Sequence, residues 1–351
     1  MPDVALHIDG AIYRFWKSVK IHRGLDELSG SFELSVTDPY TAKGGRLATS
    51  PIKRGSSCKV AIEGETVITG FVDDVDPGFD DANHTITVRG RDHTGDLVDS
   101  SAINRPGEWS GLTLDRIAST ICQPFGIPVR AQTDMGKPFD RFALQQAETA
   151  HAAIDRACKQ RGVMSMADGL GGLLLCRAGT ARHGVMLEEG KNMKSGDGKL
   201  SMRGRHSEYI VIGQQPGFEG GSATDFAHGV GRAKDPGVTR YRPLVIVAED
   251  VGGIEHLQDR ATWEANTRLG KGDAVTVTAM GWRENGLTGP LWKPNHCVLV
   301  RSPLLRYDGE LLIKSVDYVQ NDKDGTIAEI ALVRKEAYEL LATPVVKGLV
   351  W

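Results

Sequence analysis

The chain has 351 residues, more than one ordinary core supports, so two to four domains are expected. Hydrophobic residues at 40% and charged residues at 25% are the balance of a folded globular protein, not of a disordered one. A net charge of −3 carries no strongly basic footprint for nucleic acid, and no apolar run approaches the roughly 20 residues of a membrane span.

The N-terminus, Met1-Pro2-Asp3-Val4, lacks the basic-then-apolar pattern of a secretory signal. Val4, Leu6 and Ile8 alternate and meet Asp9-Gly10, a strong two-residue hairpin signal. Tyr13, Phe15, Val19 and Ile21 follow, and Phe32, Leu34 and Val36 alternate until Thr37-Asp38-Pro39 stops the strand. A strand at Cys58–Ile62 leads into Gly64-Glu65-Thr66-Val67-Ile68-Thr69-Gly70-Phe71-Val72-Asp73-Asp74-Val75, which returns as Thr85-Ile86-Thr87-Val88. Six or seven antiparallel strands are therefore expected in residues 1–95, enough for a small barrel or sandwich.

From about residue 96 the period changes. Leu114, Ile117, Ala118 and Ile121 share a helix face that starts at Thr113 and ends near Pro124 and Gly126. Ala150, Ala153, Ile154 and Ala157 form a second stripe, stopped by Gly162. Val163–Met166 and Leu173–Cys176 flank a Gly-rich turn, so residues 96–180 read as a small α+β domain. The chain then returns to β, with Tyr209–Ile212 as its clearest strand. Residues 213–238 are glycine-rich and read as a long exposed loop. Leu244–Val247 is a buried strand, and Leu257, Ala261 and Ala265 mark a helix over Ile254–Leu269, closed by Gly270 and Gly272.

A second hairpin repeats the first. Cys297–Val300 precedes Gly309-Glu310-Leu311-Leu312-Ile313-Lys314-Ser315-Val316-Asp317-Tyr318-Val319, which returns as Thr326-Ile327-Ala328-Glu329-Ile330. Gly-Glu, a β-branched run, a late aspartate and a Thr-Ile return recur in order, which pairs Ile68 with Ile313. The expected fold is β-rich α+β and multidomain: two similar antiparallel β-barrel domains with small α+β domains between them. The boundaries are residues 1–95 for the first barrel, 96–180 for the helical domain, and 181–212 with 270–335 for the second barrel. Residues 213–269 form an insert, and 336–351 a terminal helix and tail, the helix running over Lys335–Ala342.

No catalytic, cofactor-binding or metal-binding set emerges. Asp73, Asp74, Asp76, Asp80 and Asp81 are dense enough for acid–base work on cell-wall glycan or for a cation, but they surround a hairpin turn that favours Asp for its own sake. His93 beside Asp92 and Asp96 lacks a nucleophile elbow, and His84 has no spaced metal partner. Gly196-Asp197-Gly198-Lys199 lacks the full phosphate-loop pattern and reads as a turn. Arg203, Arg205, Arg232, Arg240 and Arg242 are interleaved with acids, as on a solvated face. Trp16, Trp282 and Trp292 read as core or interface anchors. Cys58, Cys122, Cys158, Cys176 and Cys297 are widely spaced and odd in number, so each is expected to be a small apolar residue in a reducing compartment.

Several stretches, taken in order, resemble one family. They are Trp16-Lys17-Ser18-Val19 after the Asp9-Gly10 hairpin; Gly190-Lys191-Asn192-Met193; Arg205-His206-Ser207-Glu208-Tyr209 with Gly213-Gln214; Arg242-Pro243-Leu244-Val245-Ile246; and Gly289-Pro290-Leu291-Trp292-Lys293-Pro294-Asn295. Together they resemble the baseplate hub of Mu-like contractile-tailed phages, the Mu P protein or 43 kDa tail protein family, which is related to the T-even central hub and to late-control D proteins. The resemblance implies a non-enzymatic virion protein assembled in the host cytoplasm. It implies a homotrimeric ring whose six barrels join the tail tube to the central spike, with other baseplate proteins around it. DNA would pass only in transit, with no cofactor and no stable membrane insertion. The hub of a tailocin or secretion-system spike is the nearest alternative, and a glycan hydrolase using the aspartates the remote one.

Overall fold

The computed structural model describes residues 2–39, 52–81, 83–179, 181–213, 230–248 and 254–339. The first block is all β: β1 (Val4–Ile8), β2 (Ala11–Tyr13), β3 (Ser18–Gly24), β4 (Ser31–Pro39), β5 (Ser57–Ile62), β6 (Glu65–Phe79) and β7 (Asn83–Asp92). Asp9-Gly10 and Glu63-Gly64 turn their hairpins with both residues at positive φ, the geometry that matches strand twist.

The second block holds α1 (Gly95–Asp99), β8 (Glu108–Trp109), α2 (Leu114–Cys122), β9 (Val129–Ala131), β10 (Phe142–Ala143), α3 (Ala150–Lys159), β11 (Met164–Ala167) and β12 (Leu173–Cys176). The Thr149 hydroxyl caps α3 by accepting from the Ala152 amide, and Gly126 in the left-handed region stops the chain beyond α2. Both helical stripes are buried against β12 in one core of their own.

Then come β13 (Ala181–Glu188), β14 (Met193–Leu200), β15 (Glu208–Gly213), β16 (Val230–Lys234), β17 (Pro243–Ala248) and α4 (Ile254–Gly272). The last strands are β18 (Asp273–Met280), β19 (His296–Ser302), β20 (Tyr307–Asn321) and β21 (Gly325–Val333). A 3-10 turn over Lys335–Tyr338 stands where a helix to Ala342 was expected; residues 340–351 lie outside the described residues. Within the expected loop, Val230–Lys234 is a strand because it completes a sheet with β15; residues 214–229 lie outside the described residues. A Cβ on Gly231 would come 2.0 Å from the Leu257 carbonyl oxygen, so glycine lets α4 lie directly on β16. Gly270 and Gly272 remain inside α4 rather than closing it earlier, and a Cβ on Gly270 would meet the Ala337 amide at 2.6 Å.

The β-rich α+β architecture is the one the sequence indicates. Its two ends are fused: one 13-stranded sheet runs β14-β18-β21-β20-β3-β4-β7-β6-β5-β1-β2, with β19 beside β20 and β13 beside β19. The join is β3 against β20, from Val19 opposite Gln320 to Gly24 opposite Ser315. A single core runs beneath both ends, holding Leu6, Ile21, Leu34 and Ile68 together with Val277, Ile313, Tyr318 and Ile330. The β13–β19 pair is parallel, a departure from the expected antiparallel ladders, because the chain re-enters the sheet from the helical block. Tyr209–Ile212, expected in the second β-domain, instead forms β15 of a separate sheet with β16 and β17.

The repeated hairpin is real in its topology, since β5-β6-β7 and β19-β20-β21 follow the same order. Each long strand carries a bulge: β6 shifts against β7 between Val72 and Asp74, and β20 against β21 between Ile313 and Ser315. Superposing the bulges matches Val72 with Ile313, Val75 with Val316, Val88 with Ile330 and Leu34 with Val277. The sequence pairing of Ile68 with Ile313 is thus four residues out of register. Four is even, so strand alternation still turns both inward, and both are 0% exposed.

Ile68→Ala and Ile313→Ala should each cost about 2–5 kcal/mol, because each empties a site in the shared core. Thr69→Ala and Lys314→Ala should cost much less; the exposed Lys314–Asp26 ion pair contributes at most about 1 kcal/mol. Chemical denaturation of the four variants checks this, and a harmless Ile313→Ala would overturn it.

Candidate functional site

Strand alternation gives the long sheet two unlike faces. One lies on the core. The other is polar, and registers align its side chains in rows across the strands. Lys20, Glu33, Arg89 and Asp74 follow one another across β3, β4, β7 and β6. A second row runs Ser195, Thr278, Glu329, Asp317, His22, Ser31 and Arg91, from β14 to β7. This face crosses the seam between the two ends of the chain.

The seam itself is tied on that face. His22 Nδ1 lies 2.9 Å from Asp317 Oδ1, and Glu27 approaches the other ring nitrogen at 3.8 Å. The hydrogen bond to Asp317 raises the His22 pKa above its ordinary 6.5, partly opposed by desolvation and Lys20 and helped by the charges of Asp317 and Glu27. A second tie lies at the β5–β6 turn. Arg283 reaches Glu63 at 2.9 Å, and Lys293 reaches Glu65 at 2.7 Å.

Those two basic residues sit on the loop between β18 and β19, which holds the Gly289–Asn295 stretch. The loop is firmly built. Trp282 and Trp292 are buried, the Trp282 indole donates to the Ile327 carbonyl at 2.8 Å, and the Tyr318 hydroxyl donates to the Trp292 carbonyl. His183 lies 2.7 Å from Glu284 and accepts from the Lys293 amide at 3.3 Å; burial lowers its pKa, partly opposed by the bond to Glu284 and its charge. His296 beside it is pushed down to about 4 by desolvation and by His183. Asn295, at positive φ, accepts from the Gly179 amide and donates to the Arg177 carbonyl, which anchors the helical block.

The other sequence candidates are taken up by structure. Asp73 and Asp76 do not sit in a turn; they lie on β6 and pair with Arg91 and Arg89 of β7. Asp80 keeps the turn role, its carboxylate accepting from the Asn83 amide at 2.6 Å. Asp92 and His93 do not form a dyad: Asp92 accepts from Thr94, burial pushes its carboxyl up to about 6, and the His93 ring meets Phe71 edge-on. Gly196–Lys199 is strand β14 and not a turn. Arg205 forms a two-pronged pair with Asp235, Arg232 pairs with Glu208, and Arg242 donates to the carbonyls of Met202 and Arg203. Trp16 is buried in the core. All five cysteines are buried and free, with Cys58 pushed up to about 12 and Cys176 to about 11 by desolvation. Among the described residues, no group of three or more His, Cys, Asp or Glu is placed to hold a metal ion. No helix among them is long and apolar enough to cross a membrane.

Four family models match successive parts of the chain. Residues 3–92 match the Mu phage baseplate assembly protein GpP-like N-terminal domain, and 94–177 the second domain of baseplate hub protein gp44-like proteins. Residues 205–262 match the third domain of tail protein NMB1110-like proteins, and 254–341 the fourth domain of Mu phage baseplate assembly protein GpP. The chain is 33% identical over 344 residues to the baseplate hub protein gp44 of Escherichia phage Mu, covering 95% of this chain and 88% of that one. The crystal structure of the 43 kDa tail protein of prophage MuSo2 from Shewanella oneidensis superposes with a TM-score of 0.86 at 37% identity, covering 97% of this chain and all of that one. A tail protein from Neisseria meningitidis MC58 shares the fold, with a TM-score of 0.78 at 22% identity over 98% and 99% of the two chains. These matches define a structural, non-enzymatic protein of the phage tail, a part of the virion baseplate. Within that class, the chain belongs to the baseplate hub family of phage Mu and Mu-like prophages.

The His22–Asp317 tie has a pH signature. With its folded-state pKa raised, its contribution is full below about 6.5 and is lost as pH rises through the raised value. Equilibrium unfolding should show stability falling above that pH, and Asp317→Asn should flatten the fall. An unchanged slope in the variant would count against the tie.

Proposed function

We propose that three copies of this chain form a ring with approximate six-fold symmetry at the centre of the baseplate, joining the tail tube on one side to the central spike on the other. The observation that carries this reading is the β3–β20 ladder. Through it each chain presents two like β-modules edge to edge, and three such chains offer six. The continuous polar face then lines the channel. It mixes Lys20, Arg89 and Arg91 with Glu33, Asp74 and Glu329, a balance that lets DNA pass without gripping it. The working modules are the two ends of the chain, with residues 96–180 and the β15–β17 sheet as peripheral attachments for tube, spike and neighbouring baseplate proteins. Assembly takes place in the host cytoplasm, with no cofactor and no membrane insertion.

Native mass measurement across concentrations should find three chains, and negative-stain electron microscopy should show a ring with a central hole. A protein that stays monomeric at high concentration would overturn the ring.

A further inference from the structure

The loop between β18 and β19 ties together two parts of the chain that are distant in sequence. On one side Arg283 and Lys293 hold Glu63 and Glu65 of the β5–β6 turn. On the other, Asn295 accepts from the Gly179 amide and donates to the Arg177 carbonyl, at the end of the helical block. Between these ties the loop backbone rests on one imidazole ring. The Lys293 amide donates to His183 Nε2 at 3.3 Å, and a backbone amide can only donate. Nε2 therefore bears no proton, and the ring proton sits on Nδ1, 2.7 Å from Glu284 Oε1. The same Glu284 oxygen accepts from the Gly184 amide at 3.1 Å, which fixes the carboxylate against β13. The His183 side chain is 2% exposed, with the Trp292 and His296 rings 4.9 and 5.0 Å from its own.

We propose that His183 is an acid-sensitive latch: a proton on Nε2 turns the acceptor of the Lys293 amide into a second donor and releases the loop. Two donors then face each other in a buried site, where neither finds a partner. Charged groups around the ring set the response. Glu284 on the loop favours the imidazolium, and Lys293 on the loop opposes it; His296, on β19, is repelled by it. Burial outweighs Glu284, so the His183 pKa lies below its ordinary 6.5. A lowered histidine pKa gives stability that is full above 6.5 and is lost as pH falls through the lowered value. His296 follows at about 4, held down by burial, His183, Lys293 and Arg23 against the pull of Glu284. Other attachments respond in the opposite sense. Acid strengthens the His22–Asp317 tie. Burial pushes Asp92, at the entrance to the helical block, up to about 6, so acid favours its folded form. Thr69 still donates to the Gly169 carbonyl, and Arg23 to that of Ala167. Acid thus frees the anchor shared by the β5–β6 turn and the helical block while the seam stays closed.

Two native thiols report on the latch. Cys176 lies 3.4 Å from Asn295 Nδ2, and Cys297 lies against Gly179, where an added Cβ would come 3.0 Å from its sulfur. Both are buried in one core, whereas Cys58, Cys122 and Cys158 are buried in two others. The full chain is titrated from neutral pH to about 4 with a pyridyl disulfide, which labels thiols in acid, and the labelled peptides are identified by mass. The native chain should be unlabelled at neutral pH and become labelled at Cys176 and Cys297 in acid, reversibly, with the other three protected. His183→Gln can accept from Lys293 and donate to Glu284 but cannot titrate, so its two thiols should stay protected. Glu284→Gln removes the charge that favours the imidazolium, so its opening should need a pH lower by about one unit. That variant carries the test if His183→Gln does not fold. Protection of both thiols throughout the titration of the native chain would overturn the latch. So would labelling of all five together, which marks global unfolding, acid labelling of His183→Gln at the native pH, or an unshifted Glu284→Gln.

Discussion

The structure depends on the ladder between β3 and β20. It joins segments some 300 residues apart and turns two β-modules into one sheet with one core. Magnitudes say what holds it. Each ladder hydrogen bond contributes a net of about 0.5–1.5 kcal/mol. Val19, Ile21 and Val316, all buried at the seam, each contribute about 1.5–3 kcal/mol by leaving water. Summed over the six paired residues, the two contributions are comparable, and the apolar alternation fixes the register. The His22–Asp317 bond and the Arg283 and Lys293 pairs are partly exposed, and they orient the modules more than they bind them.

The same alternation that builds the core also produces the polar face. A strand cannot present an apolar row on one side without giving the other side to the intervening residues. Eight strands from β14 to β6 keep this phase across the seam. The bulges at Asp73 and Lys314 are the places where each module bends, and both modules bend at the same point of their hairpin. A catalytic pocket needs convergent polar groups at depth. Here Asn295 and His183, two deep polar groups, are already bonded to backbone and to Glu284.

Local chemistry was legible in the sequence. Asp9-Gly10 specifies its hairpin, Thr149 and Gly126 mark their helix ends, and the stripes of α2 and α3 name the residues of the helical core. Non-local pairing was not legible. Nothing in Val19–Gly24 announces β20 as its neighbour, and nothing in Ala181–Glu188 says that it runs parallel to β19. Gly196 and Gly198 look like turn residues because their reason for being small is Leu305, more than a hundred positions away. Asp73 and Asp76 look like loop acids because their arginine partners lie on the returning strand. The duplication was visible but slipped by four residues, since the bulge that fixes its phase has no sequence signature.

The β3–β20 seam also changes how an assembly can form. Six separate modules would need five encounters in solution before the ring closed, and a complete ring would thin out with the sixth power of dilution. A chain that carries its own seam makes every second joint unimolecular, at an effective concentration on the order of millimolar whatever the bulk value. In the proposed ring only two encounters remain before closure, and the population follows the cube of chain concentration. For a component needed in few copies per particle, that difference decides whether assembly can begin while the protein is still scarce.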